Sequence, residues 1–394
     1  MIRGAIAEVN LSAIANNLHS IRKIVKNRPV IAVVKADAYG HGAVEVSKRL
    51  LKEGISYIAV AYTGEAVELR EAGINTRIIV LFDRGDIKDF FDFNLIPVIY
   101  SPDTASKLSD EARKRDTTIK VHVKIDTGMG RLGLCDNHII DDLVRISEMP
   151  GIELTGLLSH FSEADLWDRT YAVMQFNKFN QIIKTISKRL KRQLFSHIAN
   201  SAAILTFEDA HLDAVRPGLM LYGYSPFNQN QNYPLSSDNP PIPPLEKGGK
   251  GGFENIYLIP AMKVKTKILC IRNIPSGSPI SYGRTFITKR PSRIGVLSLG
   301  YADGYSRIFS NNAEVLVKGK LVPIVGRVCM DLTMTDLTDV EDVTENDEVI
   351  IMGQQGEKAI TANELANRAN TIPYEILTSL GSCARKEYID AETD

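Results

Sequence analysis

Up to Tyr224 the chain alternates short unbroken apolar runs with longer segments whose apolar residues recur every three or four positions. The runs at 30–34, 57–61, 77–82, 96–100, 119–125, 153–158, 195–198 and 212–215 have the length and composition of strands. Helical patterns lie between most of them, at 43–53, 63–72, 103–115, 139–147 and 171–190. Eight strands alternating with helices predict an α/β fold closed as a (β/α)8 TIM-type barrel, with a doubly wound open sheet as the alternative. The pattern breaks at Ser225. SPFNQNQNYPLSSDNPPIPPLEKGGKGGF is rich in Pro, Asn and Gly and cannot build a core, so it reads as a mobile linker enlarged by an insertion. Its GGKGG core lacks both the Ser or Thr and the preceding strand of a phosphate loop. Beyond it, AMKVKTKILCI, RIGVLSLG, EVLVKGKLVPIVGRV and DEVIIMG alternate as short strands, and one amphipathic helix is expected at 361–369, before IPYEILTSLG. The expected organisation is a barrel over 1–225, a linker over 226–255 and a mostly β C-terminal domain over 256–394.

Composition narrows the function. At 394 residues the chain exceeds what one hydrophobic core usually supports, which fits two domains. Lysine plus arginine equals aspartate plus glutamate at 47 each, so there is no general pull toward nucleic acid or anionic membrane. Cys135, Cys270, Cys329 and Cys383 form no CxxC pair, which argues against a zinc or redox site and fits a reducing cytoplasm. The opening MIRGAIAEVNLSAIANNL has no secretory core, and no apolar stretch reaches membrane-spanning length.

The candidate chemistry gathers at strand ends. In VVKADAYGHG, Lys35 ends the first strand, on the side where barrel active sites lie. Partial desolvation there would lower its pKa and free the amine for Schiff-base chemistry; a lysine reaching back into water is the plain reading. In VHVKIDTGMGRLG, Gly128, Gly130 and Gly133 match GxGxxG. Either they form a dinucleotide turn, or they bend the backbone to present Arg131; the position after the fifth strand favours the second. Lys124 and Asp126 share a strand face. His160, in SHFSEAD, is either catalytic or a hydrogen-bonded pocket histidine. Ser201, in HIANSAA, either favours a phosphate or caps a helix. Gly218, in VRPGLMLYG, permits close approach of a ligand, and the loops after strands seven and eight are the usual phosphate position in such barrels. In the C-terminal part, Tyr282, Tyr301, Tyr305 and Tyr374 stand in polar Gly-rich turns, where packing at an interface is the plain reading.

Taken together, AVVKADAYGHG, KIDTGMGRLG, SHF, HIANSAA, VRPG, SYGRTF, GYADGY, GRVCMD and IPYE, in that order over nearly the whole chain, resemble the alanine racemase family. The resemblance implies pyridoxal 5′-phosphate as cofactor, a barrel with a β-rich second domain, and a head-to-tail homodimer. Each active site is then shared between one barrel and the partner's C-terminal domain. It implies that Lys35 is the Schiff-base lysine and the base on the D face, and that Tyr282 of the other subunit is the base on the L face. Arg216 is placed beside the pyridine nitrogen, keeping it unprotonated. Tyr39, Ser201, Gly218, Leu219 and Tyr374 are implied at the phosphate, Arg131 and Met330 at the substrate carboxylate, and His160 and His197 on the cofactor side. Lys124 matches a position often carbamylated, and Asp165, Tyr301, Arg307, Arg327 and Ile372 match the substrate entryway. No metal is implied. The departures are the insertion after Ser225 and Pro217 within VRPG; the insertion leaves every motif intact.

The expected function is interconversion of L- and D-alanine, supplying D-alanine for peptidoglycan. A serine or broad-specificity racemase of the same fold is the alternative. A decarboxylase would not need Tyr282, a single-barrel cofactor-homeostasis protein would lack the second domain, and a dehydrogenase rests on GxGxxG alone.

Overall fold

A computed structural model of the chain describes residues 4–82, 85–135, 137–166, 168–227 and 257–390; most of the expected 226–255 linker lies outside them. By its internal contacts the chain divides into two compact units, Ile14–Ala36 with Val46–Ile259, and Met1–Ala13 with Asp37–Glu45 and Pro260–Asp394.

The first unit is the barrel. Among the described residues, Ile31–Val33, Tyr57–Val60, Arg77–Val80, Ile96–Ile99, Ile119–Lys124, Ile152–Leu158 and Phe195–His197 form one parallel sheet in chain order. Their residues are almost all buried, as strands covered on both faces must be. The eighth strand is reduced to a contact. Ala214 bridges His197 and Val215 bridges Val30, both in parallel. The Ile31 amide donates to the Val215 carbonyl at 2.9 Å and the Val215 amide to the Pro29 carbonyl at 3.1 Å, which closes the ring. The expected helices form at Ala43–Lys52, Thr63–Glu71, Pro102–Lys114, Ile139–Glu148 and Thr170–Leu190. Asn17, fully buried, donates to the carbonyls of Leu221 and Ile259 at 3.0 and 2.9 Å, tying the helix Leu11–Ile24 to the last residues of the barrel unit.

The second unit is mostly β. Its axis is Met262–Ile274, a 13-residue strand whose first half pairs with Ile6–Asn10 and Glu348–Gln355 and whose second half pairs with Ser292–Leu297. Ile6–Asn10 also pairs in parallel with Arg385–Ile389. The start of the chain therefore belongs to this sheet, although the sequence boundary at 225 places it with the barrel. The reason is local: IAEVN alternates buried and half-buried positions, a strand with one face on a core rather than two. Ala362–Ala369 is the expected helix, with the Thr361 hydroxyl accepting from the Glu364 amide. IPYEILTSLG forms a second one, Pro373–Cys383, with Pro373 in its first turn.

Candidate active site

Lys35 stands at the mouth of the barrel unit. Its Nζ lies 5.6 Å from the centre of the Phe82 ring, Lys124 Nζ lies 5.4 Å from it, and the Arg131 guanidinium carbon 6.0 Å. Three cations, one after the first barrel strand and two at and after the fifth, thus converge on one aromatic face, where the ring quadrupole offsets part of their repulsion. Burial lowers the pKa of Lys35, Arg131 lowers it further, and Glu65 pulls it back up. Lys124 is pulled down to about 8, first by burial and then by Arg131, Arg216 and Lys35, with Asp126 opposing. This cluster is electrostatically unfinished: its cations depress one another, and an anion placed among them would be held strongly.

The loop that presents Arg131 is built on Asp126. Oδ1 accepts from the amides of Gly128, Met129 and Gly130, and Oδ2 from that of Arg131, at 2.8, 2.8, 3.2 and 3.0 Å. Burial alone would raise the Asp126 pKa, but these four donors bring it below the usual carboxylate value. Gly133, at φ +134°, lies so close to the strand that a Cβ there would come within 2.5 Å of the Asp126 nitrogen. The next helix starts only at Ile139, so the GxGxxG match opens no helix and makes no dinucleotide turn. Its glycines serve the path that carries Arg131.

Arg216 lies behind this mouth, fully enclosed. Nη1 donates to the His197 carbonyl and to His197 Nδ1 at 2.7 and 2.6 Å. Nη2 donates to the carbonyls of Ser159 and Ile198 at 2.6 and 3.2 Å and reaches His160 Nδ1 at 3.4 Å. Every partner is neutral. Burial brings the Arg216 pKa down to about 9, which still leaves it charged at neutral pH. Because His197 Nδ1 accepts from arginine, its hydrogen must sit on Nε2, which then donates to His122 Nδ1 at 3.1 Å. Gly156 makes room for that ring, since a Cβ there would fall 2.6 Å from His122 Nε2. Burial, then Arg216, holds His160 and His197 well below the ordinary histidine range and His122 at about 3. In the unfolded chain these rings bind protons near pH 6.5; in the folded barrel they do not. Stability should therefore fall as pH drops below about 6.5, by up to about 1.4 kcal/mol per pH unit for each ring. Urea midpoints that stay level between pH 7 and 5 would contradict the neutral-ring assignment.

Ser201 opens the helix Ser201–Thr206, but Asn200 is its cap, accepting from the Ala203 amide at 3.0 Å. Ser201 Oγ instead accepts from the amides of Gly218 and Met220 at 3.1 and 3.4 Å, joining the loops after strands seven and eight. Leu219 starts the turn that follows. Asp165 is exposed, in the loop after Ile152–Leu158.

The residues just after Lys35 form a left-handed turn: Ala36, Asp37, Ala38 and Tyr39 all have φ between +52° and +55°. Each non-glycine residue there costs about 1–2 kcal/mol, so surrounding contacts must hold the turn. In the second unit, Asp37 accepts from the Ala43 amide at 2.7 Å and pairs with Lys386 at 2.9 Å. Gly40 packs against Gly381 with no room for a side chain. The Tyr39 ring lies 5.8 Å from that of Tyr374, and burial raises the Tyr39 pKa.

Tyr282 is 70 % exposed in this unit, between Ser281 at φ +62° and Gly283 at φ +70°. Ser281 Oγ donates to the Arg327 carbonyl at 2.7 Å and lies 3.4 Å from Cys329 Sγ. The amides of Tyr301 and Ala302 donate to the carbonyls of Cys329 and Met330, both at 3.0 Å. Tyr282, Arg327, Met330 and Tyr301 are thereby linked through neighbouring turns. Arg307 and Ile372 are exposed in the same unit. Tyr305 differs from the expected interface tyrosines: it is fully buried and stacks on Phe309 at 4.7 Å. Phe82 and Glu65 belong to the barrel site but carry no motif; Phe82 ends an ordinary apolar run.

Among the described residues there is no cluster able to hold a metal ion and no helix long and apolar enough to cross a membrane. The family model for the alanine racemase N-terminal domain matches residues 9–226, and the one for the alanine racemase C-terminal domain matches 261–388. The alanine racemase of Thermodesulfovibrio yellowstonii is 47 % identical over 392 residues, 98 % of each chain. The solved alanine racemase of Clostridium difficile 630 superposes with a TM-score of 0.86 at 35 % identity, over 99 % of this chain and 96 % of that one. That of Bartonella henselae, solved with covalently bound pyridoxal phosphate, gives 0.82 at 29 % identity, over 98 % and 99 %.

Proposed function

The chain belongs to the alanine racemase family of isomerases, and from that premise we propose that it interconverts L- and D-alanine with pyridoxal 5′-phosphate, using Lys35 and the Tyr282 of a second copy as its two bases. The observation that carries this reading is the convergence of Lys35, Lys124 and Arg131 on Phe82. That donor set suits the cofactor: a free amine at Lys35 for its aldehyde, and the Arg131 guanidinium for its phenolic oxygen. When bound, the cofactor supplies an electron sink that makes the hydrogen on the α-carbon acidic.

Lys35 attaches the cofactor and carries the proton at Nζ on one face; the Tyr282 hydroxyl does so on the other. Ser201, Gly218 and Leu219, with Tyr39 and Tyr374, take the phosphate. Arg216 faces the pyridine nitrogen as a donor that does not give up its proton, with His160 and His197 fixing it. Arg131 and Met330 take the substrate carboxylate, and Asp165, Tyr301, Arg307, Arg327 and Ile372 frame the entry. Lys124, with its lowered pKa, has the free amine that adds carbon dioxide: a nitrogen–carbon bond forms, a proton leaves, and the carbamate anion holds Arg131. The second copy is argued from the family resemblance and from Tyr282, Met330 and Ile372, large side chains that this unit leaves exposed. The enzyme would act in the cytoplasm and supply D-alanine for peptidoglycan.

Borohydride reduction of the yellow holoenzyme tests the first step. The cofactor should become fixed to the peptide that contains Lys35. Fixation to any other lysine would overturn the assignment.

A further inference from the structure

Glu65 is the third residue of the helix Thr63–Glu71. A glutamate there ordinarily reaches back to the capping amide, and Glu65 Oε2 does accept from Tyr62 N at 3.1 Å. Two further contacts exceed that role. Oε2 also accepts from the Ala61 amide at 2.6 Å, and Oε1 from the Ala36 amide at 2.6 Å. Ala36 lies 29 residues away, in the preceding loop of the barrel. Its amide belongs to the peptide directly after Lys35, and Ala36 is the first residue of the left-handed turn.

We propose that Glu65 is the positioning residue of Lys35: its carboxylate ties the peptide after the lysine to the next barrel loop and fixes how the amine stands at the mouth. Charge-assisted hydrogen bonds of this kind are short and strong, and two of these three are. They hold open a backbone conformation that alanine disfavours, so without them the turn has a lower-energy way to relax. Glu65 also has an electrostatic part. Among the described residues, the charged groups acting on Lys35 and its neighbours are Arg131, Lys124, Arg216, Asp126 and Glu65, with Asp126 acting on Lys124 and Glu65 on Lys35, while His160 is neutral. Glu65 is the acid that opposes Arg131 at the lysine. It therefore sets both the direction of the amine and the share of it that is free.

This inference rests on Lys35 being the reactive lysine, which the borohydride experiment on the wild-type protein decides separately. Its own test starts from cofactor-free protein. Competitive acetylation over a pH series, read by mass spectrometry on the Lys35 peptide with Lys263 as internal reference, follows the free amine directly. Glu65→Gln removes the charge and half of the acceptors, so Lys35 should label about threefold faster at neutral pH, its profile moving to lower pH. Glu65→Asp keeps the charge but is one methylene too short to span both loops. It should leave the labelling profile near that of wild type. In the loaded enzyme both variants should lower kcat about tenfold with little change in KM, as expected for a misplaced base. If Glu65→Gln does not fold, Glu65→Asp carries the kcat test. Unchanged kcat per cofactor-loaded site, with only a lower Tm, would make Glu65 a helix cap and overturn the proposal. A Lys35 profile in Glu65→Gln superimposable on wild type would overturn its electrostatic part.

Discussion

Mixing Lys35→Ala with Tyr282→Phe, each inactive alone, is expected to restore about a quarter of wild-type racemisation once subunits exchange. Racemisation removes the α-proton from one face and returns one to the other. A single base would have to cross the substrate plane; two fixed groups need no such motion, but each must lie within hydrogen-bond reach of the proton it moves. Loss of either is expected to cost at least about a thousandfold. If the bases come from different chains, random pairing makes half of the dimers mixed, and each mixed dimer has one site with both bases intact. Tyr282→Phe alone should also lose solvent-deuterium exchange from L-alanine far more than from D-alanine, while keeping its cofactor. No recovery despite proven subunit exchange would place both bases on one chain. Equal loss of exchange from both enantiomers would remove the assignment of faces.

Replacing Arg216 should have the largest effect on stability. Its guanidinium is buried and donates to the carbonyls of Ser159, His197 and Ile198 and to His197 Nδ1. Arg216→Met keeps much of the volume but leaves these acceptors facing a thioether. Stranding several buried acceptors costs about 1–3 kcal/mol each, less what the site recovers by relaxing or admitting water, so a net loss of about 3–5 kcal/mol is expected. Urea unfolding of Arg216→Met measures it; a change under about 1 kcal/mol would show that the network carries little. Adding His197→Leu should cost less than the sum of the two single changes, because the two side chains share one hydrogen bond.

Most of the barrel was legible because its strands are covered on both faces and so appear as unbroken apolar runs. IIV at 78–80 and IAV at 31–33 need no context to be recognised. The helices were legible wherever a clear polar face alternates with them, as in Thr170–Leu190. What escaped depends on distant partners. IAEVN has a readable strand alternation, yet nothing in it says that its partners are Met262–Ile274 and Arg385–Ile389. IPYEILTSLG is apolar enough to pass for another strand until Pro373 opens it as a helix. No local preference predicts four left-handed residues in KADAY, since alanine disfavours that conformation everywhere.

The site shows the same division. Lys35, Arg131, Ser201 and Arg216 stand at strand ends, where barrel chemistry is expected, or in motifs that carry the family resemblance. Phe82 and Glu65 act through spatial neighbours at sequence separations that no short motif spans. The spacing of Asp126 from Lys124 puts the two on one strand face; that its carboxylate gathers four loop amides depends on the loop's path. Ser201 had a plain reading as a helix cap, but Asn200 holds that position and frees the serine hydroxyl to join two loops.

Racemisation itself is tested by incubating the holoenzyme with L-alanine and following both enantiomers by chiral chromatography, beside a panel of other L-amino acids. D-alanine should appear, faster than the D-form of serine or any other panel member. The reaction should stop at equal amounts of the two forms, since enantiomers have equal free energies in water, and should reach the same endpoint from D-alanine. Loss of alanine to carbon dioxide and an amine, or no D-alanine from protein fully loaded with cofactor, would contradict the assignment.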